Sequence, residues 1–462
     1  MTSSLPLRIA IVGTGPSGFY AAEHLQKQHP GVEIDLFDRL PTPFGLVRGG
    51  VAPDHQKIKS VTRIYERIAT QPGVRFLGNV TIGRDLSCAE LRAHYHAVIY
   101  AIGASGDRAL GVPGESLSGS HPATDFVGWY NGHPDYRDRQ FDLTQEAVAV
   151  IGMGNVAVDV VRVLARTPEE LHSSDIAPHA LDALRHSRVR TIYMIGRRGP
   201  AQGAYTNPEL KELGEMGAAD IDVRAEDLVL DSASAAAVAA TDDKSTERNL
   251  HTLAHFAAKA PEGKPRRIAL RFLRSPVALE GDGKVERIGL MKNRLVAGSG
   301  NDVRAEPTGE IESLPVGLVF RSVGYLGTGL PELPLDRKRG IIPNTGGRVV
   351  RDDAPSPGEY VVGWISADPA ASSAPTSRTR WRRLTCCSRI WPPVRCPPQR
   401  ERDPPGWTAC SGSAGCGSCA GPTGKGWMRW RRVVVRRPGG RGSSSVGWKR
   451  CWRPSQNRRS PP

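Results

Sequence analysis

Apolar and polar positions alternate along the first hundred residues in short blocks that predict strands and helices in turn. Leu7–Gly13 is a short apolar run of buried-strand type, and Ser17–Gln28 follows with helix-forming residues. Val32–Phe37 predicts a second strand, Leu40–Pro53 a Pro/Gly-rich loop, and residues around Lys57–Thr70 a helix. Val74–Gly78 and Ala97–Ala101 predict two more short strands. A second strand–glycine turn–helix unit begins at Ala147–Gly154 and continues through Asn155–Arg166, and Val189–Ile195 is another apolar strand ending in Arg197 and Arg198. Between Arg267 and Leu295 the pattern changes to extended pieces, Ile268–Phe272 and Val285–Met291, of the kind found in antiparallel sheets. Ala235–Lys244 reads as a surface excursion, and Leu318–Val323 and Glu359–Ile365 as late strands that rejoin the first domain. This order predicts an α/β chain with two Rossmann-like dinucleotide-binding domains, one inserted into the other. The boundaries expected are 1–106 with 320–365 for the outer domain and 107–319 for the inner one.

Composition divides the chain differently. The net charge of +15 over 462 residues suggests nucleic-acid or membrane partners until it is located. Ser366–Pro462 holds 20 of the 62 basic residues against 3 acids, which leaves 42 bases and 44 acids ahead of it. Seven of the eight cysteines also follow residue 365, and Cys88 alone belongs to the body. A body with one cysteine is no disulfide scaffold and suits a reducing cytosol. The first strand begins too early to leave room for a leader ahead of it, and no uncharged apolar run approaches membrane-spanning length. A cytoplasmic protein without membrane insertion is expected.

The glycine turns carry the chemistry. In Gly13-x-Gly15-x-x-Gly18 the first glycine permits the tight turn, the second lets a pyrophosphate reach the backbone, and the third lets the helix pack on the strand. Asp38 closes the next strand, where an acid accepts hydrogen bonds from ribose hydroxyls. In the second turn, Gly152-Met153-Gly154-Asn155-Val156-Ala157, alanine replaces the third glycine. Arg197 and Arg198 stand where an acid would select an unphosphorylated ribose, and paired guanidiniums suit a 2′-phosphate. One acid-ended and one arginine-ended site fit a flavin relay, in which hydride passes from NADPH to FAD and electrons leave singly.

Longer motifs narrow the reading. Leu40-Pro41-Thr42-Pro43-Phe44-Gly45-Leu46-Val47-Arg48, followed by Gly50-Val51-Ala52-Pro53-Asp54-His55, resembles the ferredoxin–NADP⁺ reductases of the adrenodoxin-reductase type. Further matches are Phe126–Asn131, Ile151–Asp159, Ile195–Pro200, Arg321–Tyr325 and Gly363-Trp364-Ile365, and together they cover about the first four fifths of the chain. The resemblance implies FAD contacts at Ser17, Asp38, Leu46 and Ile82, with Trp364 beside the flavin. It implies NADP contacts at Met153–Val156, Arg197, Arg198 and Glu209, and an acid/base pair, His55 and Glu212, associated with the nicotinamide–flavin region. The family usually carries glutamate where Asp38 stands. Hydride transfer needs aligned rings more than a general base, so His55 and Glu212 are expected to tune or position. A hydrogen-bonded loop histidine and a solvated helix acid remain the plain alternatives. The implied partner is a ferredoxin-like iron–sulfur protein. Competing readings are an NADPH-dependent diaphorase with another acceptor and a nucleotide-binding protein inactivated at its C-terminus. No Cys-x-x-Cys pair lies in the body, which disfavours disulfide reduction.

The resemblance stops after Ile365. The family continues Lys-Arg-Gly-Pro-x-Gly-x-Ile-Gly-Thr-Asn, whereas this chain reads Ser366-Ala367-Asp368-Pro369-Ala370-Ala371-Ser372-Ser373. Ser366 onward can be encoded by codons that, with one base added ahead and read in the new frame, give KRGPSGVIGTNKQDAVET. The same shift over Leu384–Pro397 can give the helix-like AHMLFQDLAAGALP. Ser366–Pro462 therefore reads as a basic, low-complexity frameshift product, expected to be irregular and disordered. Its Cys410, Cys416 and Cys419 lack a matching fourth ligand, so no metal site is expected, and its Arg/Trp stretch is no nucleic-acid motif in such a setting. Resequencing the coding DNA across codons 364–368 is expected to reveal one lost base; an intact frame there would remove the explanation.

Overall fold

The computed structural model describes Pro6–Ala367, apart from residue 242 and residues 299–301, together with the backbone of Arg429–Val434 and Ser445–Cys451. These last two segments pair antiparallel. The rest of the C-terminal stretch, including Ala371, Ser372, Ser373 and the cysteines after residue 365 other than Cys451, lies outside the described residues. The chain forms two compact units. One comprises residues 1–48, 57–106 and 325–462, and the other residues 49–56 and 107–324.

The first unit is built on a seven-stranded sheet in the order Asn344–Thr345, Arg348–Arg351, Ala354–Val361, Ala97–Tyr100, Arg8–Val12, Glu33–Phe37, Val74–Leu77. The last five are parallel neighbours and the first two are antiparallel additions. Side-chain alternation explains why Arg8–Val12 is apolar throughout: Ile9 and Ile11 enter one buried cluster with Phe19, Leu25 and Tyr65, while Ala10 and Val12 enter another with Tyr100 and Val361. The expected helix around Lys57–Thr70 is broken into Gln56–Lys59 and Thr62–Ala69.

The second unit holds a six-stranded parallel sheet ordered Ser120–Pro122, Leu318–Arg321, Ala147–Ile151, Thr191–Ile195, Arg266–Arg271, Ala219–Val223. Here too both faces are covered: Val148 and Val150 join one cluster, Ala149 and Ile151 the other. Two expectations are corrected. Leu318–Arg321 does not rejoin the first sheet but pairs with Ala147–Ile151, so residues 320–324 belong to the inserted unit. Arg266–Arg271 is parallel, lying between Thr191–Ile195 and Ala219–Val223. Its apolar run is that of a central strand, and antiparallel pairing begins only with Arg274–Glu280, Arg287–Ala297 and Val303–Pro315. The Ala-rich excursion is helical, Ser232–Thr241, and leads into the helix Lys244–Ala258.

A buried carboxylate ties the returning strand into the first sheet. Glu359 has no solvent exposure and accepts hydrogen bonds from Tyr100 Oη (2.8 Å), Ser356 Oγ (2.7 Å), Arg92 Nη1 (3.3 Å) and Arg351 (2.7 and 3.0 Å). Burial alone would raise its pKa, but the bonds from Arg351, Ser356 and Tyr100 outweigh burial and hold it at about 2. A folded-state value below the ordinary 4.5 stabilises the fold above that pH and loses the contribution as pH falls towards 2. Glu359→Gln is expected to cost about 2 kcal/mol at neutral pH. It should also flatten the acid limb of stability in urea titrations, and a variant with the wild-type acid slope would contradict the assignment.

Candidate functional site: two nucleotide turns and a buried charge cluster

At the first turn, the strand Arg8–Val12 ends at Gly13, whose φ is +102°. A Cβ there would lie 2.4 Å from the carbonyl oxygen of Ala101, and one on Gly18 would lie 2.1 Å from that of Gly13. The helix Pro16–Gln28 therefore starts tight against the strand. Its cap residue Gly15 supplies no side-chain acceptor, and a Cβ on Gly15 would meet no atom within 4 Å. Pro16 has no N–H, so the amides from Ser17 onward are those this uncapped helix start leaves for an anion.

Asp38 stands at the end of the next strand. It accepts from the Thr14 amide (3.0 Å), the Thr14 hydroxyl and the Leu40 amide (2.9 Å). Burial raises its pKa against the pull of these bonds. Such a carboxylate gains from further hydroxyl donors, so the residues fit an adenosine ribose. The Phe44 amide donates to the Thr14 carbonyl (3.0 Å), which holds the Pro/Gly loop on the turn. Leu46, 47% exposed, begins the short helix Leu46–Gly49 that interrupts the expected loop, whereas the Ile82 side chain is buried with Val80 and Leu333. Gly363 abuts Ser17, with a would-be Cβ 2.4 Å from its Oγ, and places Trp364 next to the turn, its ring 5.4 Å from that of Tyr325.

The second turn repeats the design. Gly152, at φ +140°, would bring a Cβ within 2.3 Å of the Ser322 carbonyl oxygen, and Gly154 faces open space at the uncapped start of the helix Asn155–Ala165. Met153 packs on Gly196, its carbonyl accepts from the Ala204 amide (2.7 Å), and Asn155 Oδ1 accepts from the Thr206 amide (2.8 Å). Arg197 is exposed and Arg198 half-buried. Their carbonyls are held by Asn293 Nδ2 and the Leu273 amide, and neither guanidinium is in an ion pair among the described residues. Burial, then the neighbouring Arg197 charge, lowers the pKa of Arg198, as expected for two cations awaiting an anion.

His55 and Glu212, far apart in sequence, meet at 2.8 Å between Nε2 and Oε2, with Glu209 Oε2 3.5 Å away. Sequence reasoning missed what lies beneath them. Arg162 is wholly buried and donates to Asp54 (2.7 and 3.1 Å), Asp159 (2.7 Å) and Glu209 (3.1 Å), with Glu212 at 3.3 Å; Arg166 also donates to Asp54 (2.9 Å). Burial raises the pKa of Asp159 and of Glu209, whereas Arg162 and Arg166 overcome burial at Asp54 and lower it. The signal was present: Asp159 and Arg162, spaced i and i+3, interrupt an otherwise apolar helix, NVAVDVVRVLA. His55, Glu209 and Glu212 approach like metal ligands, and Arg162 Nη1 already contacts both carboxylates, at 3.1 and 3.3 Å.

Comparison with known proteins places this geometry. The pyridine nucleotide-disulphide oxidoreductase family model matches residues 7–194. The NADPH-ferredoxin reductase FprA of Mycobacterium leprae is 47% identical over 368 residues, covering 78% of this chain and 79% of the relative. This chain belongs to the adrenodoxin-reductase-type ferredoxin–NADP⁺ reductases. The mitochondrial NADPH:adrenodoxin oxidoreductase of Arabidopsis thaliana is 44% identical over 380 residues, covering 79% and 78%. The solved structure of Mycobacterium tuberculosis FprA in complex with NADPH matches with a TM-score of 0.78 at 43% identity, over 84% of each chain. This reductase therefore has the fold and the two nucleotide turns of an FAD- and NADPH-dependent flavoenzyme. No helix among its described residues is long and apolar enough to cross a membrane.

Gly13→Ala in this reductase is expected to cost about 2 kcal/mol or more, because a positive φ and a carbonyl clash add. Thermal unfolding and flavin absorbance of the purified protein measure it, and wild-type values for both would overturn the steric argument.

Proposed function

We propose that this reductase is an NADPH:ferredoxin oxidoreductase of the cytoplasm, acting on a ferredoxin-like iron–sulfur protein. The observation that carries the reading is the pairing of an acid-ended turn with an arginine-ended one in a chain 47% identical to an NADPH-ferredoxin reductase. FAD, when bound, accepts hydride from NADPH and passes electrons singly to the iron–sulfur protein.

The chain's own residues supply binding and orientation. The turn Gly13–Gly18 would take the FAD pyrophosphate at the start of its helix, through the amides from Ser17 onward because Pro16 has none and that of Thr14 is held by Asp38, with Asp38 on the ribose. Leu46 and Trp364 would flank the flavin, with Ile82 supporting the site from its buried position. The amides of Met153–Val156, after Gly152, would take the NADP pyrophosphate, and Arg197 and Arg198 the 2′-phosphate. Glu209 contributes the carboxylate that fixes Arg162, while His55 and Glu212 form a hydrogen-bonded pair that would hold a proton at Nε2 against the partly exposed carboxylate. Because the residues at 366–373 differ from the family loop, FAD affinity and turnover of this polypeptide are expected to fall below those of a frame-restored chain.

The test is NADPH-dependent cytochrome c reduction with and without added ferredoxin, on purified protein carrying the flavin spectrum. Stimulation by ferredoxin is expected; ferredoxin-independent reduction selects the diaphorase reading, and a colourless frame-restored protein rejects the flavoenzyme. Arg197→Ala and Arg198→Ala should each raise the KM for NADPH by about 10- to 100-fold while leaving NADH nearly unchanged, as the loss of one charge-assisted bond requires. Equal effects on both nucleotides would exclude a 2′-phosphate role.

A further inference from the structure

The charge cluster of the inserted unit constrains one proton. Arg162 Nη2 lies 3.3 Å from His55 Nδ1 in hydrogen-bond geometry. A guanidinium only donates and stays charged at every relevant pH, so Nδ1 is the acceptor and carries no hydrogen. The ring hydrogen is then on Nε2, which faces Glu212 Oε2 at 2.8 Å. The other charged groups facing the ring agree. Glu209 Oε2 lies 3.5 Å from Nε2, on the same side as Glu212. Asp159 Oδ1, 3.8 Å from Nδ1, is beyond hydrogen-bond reach and already accepts from Arg162 Nη2 at 2.7 Å. Asp54, next to His55 in the chain, is held by Arg162 and Arg166.

We propose that Arg162 is a positioning residue that fixes His55 as the neutral Nε2–H tautomer, aimed at Glu212. Arg162 is rigidly placed for this: its side chain has no exposure, Nε and Nη1 donate to Asp54 and Glu209, and the two Nη2 hydrogens are shared among Asp159 (2.7 Å), Asp54 (3.1 Å) and His55 Nδ1. The consequence is a direction. The ring's single hydrogen is donated towards Glu212, the most exposed member of the cluster at 35%, while Nδ1 offers only its lone pair, to Arg162. The catalytic importance of that direction rests on the proposed reductase function; the tautomer itself does not.

The full-length protein labelled with ¹⁵N-histidine, recorded in long-range proton–nitrogen correlation at about pH 7, reads the tautomer directly. The His55→Asn variant identifies the His55 signals by their disappearance. The Nε2–H pattern is expected, and an Nδ1–H or doubly protonated pattern overturns the proposal whether or not the enzyme turns over. Arg162→Lys keeps the charge but cannot span Asp54 and Nδ1 together. It should give mixed tautomers and move the pH profile of NADPH-dependent flavin reduction by roughly one unit. An unchanged His55 spectrum in a folded Arg162→Lys protein also overturns the proposal, and should that variant not fold, the wild-type spectrum decides.

Discussion

A helix that begins directly after a buried strand leaves its first amides without acceptors, and both halves of this protein are organised around that constraint. Neither Gly15 nor Gly154 offers a side chain to satisfy those amides, and a Cβ on either would meet no atom within 4 Å. A capping serine in either place would have closed the site. Everything else follows from keeping such a cradle rigid: apolar strands covered on both faces, a first glycine turned to positive φ against a neighbouring carbonyl, and a selecting group at the end of the next strand. That last position carries a carboxylate, Asp38, in one unit and two guanidiniums, Arg197 and Arg198, in the other.

Buried charge is placed with equal economy. Glu359 and Arg162 are both removed from solvent, and each is surrounded by opposite charge. Around Glu359 the donors come from three strands and a helix of one sheet, and the result is cohesion. Around Arg162 there is an excess of carboxylate: two cations, Arg162 and Arg166, face Asp54, Asp159, Glu209 and Glu212. Burial raises the pKa of Asp159 and of Glu209 there, whereas at Glu359 the donated hydrogen bonds outweigh burial and lower it.

Much of this was legible in the chain. Both glycine turns, and the positions of Asp38 and of the arginine pair after their strands, could be read because they depend on residues close in sequence. The parallel strands could be found but not always assigned: an apolar run such as Leu318–Arg321 fits either sheet, and only pairing with Ala147–Ile151 decides. Arg266–Arg271 was misread for a related reason, since its antiparallel neighbours follow immediately and periodicity does not reveal strand direction. The Arg162 cluster was hidden because its members come from the Asp54–His55 loop and from two separate helices. The contact between His55 and Glu212 spans more than 150 positions, and no local pattern encodes it.

The returning strand Ala354–Val361 has a bearing on how the molecule is made. It pairs with Ala97–Tyr100, which emerges from the ribosome long before it. The inserted unit is complete by residue 324 and contains all its own strands, so it can fold while the outer sheet still has an open edge. At ordinary rates of synthesis, roughly 260 residues correspond to about 10 to 50 seconds of waiting. During that interval the Ala97–Tyr100 edge is an adhesive surface on a nascent chain, a natural place for chaperone engagement or mispairing.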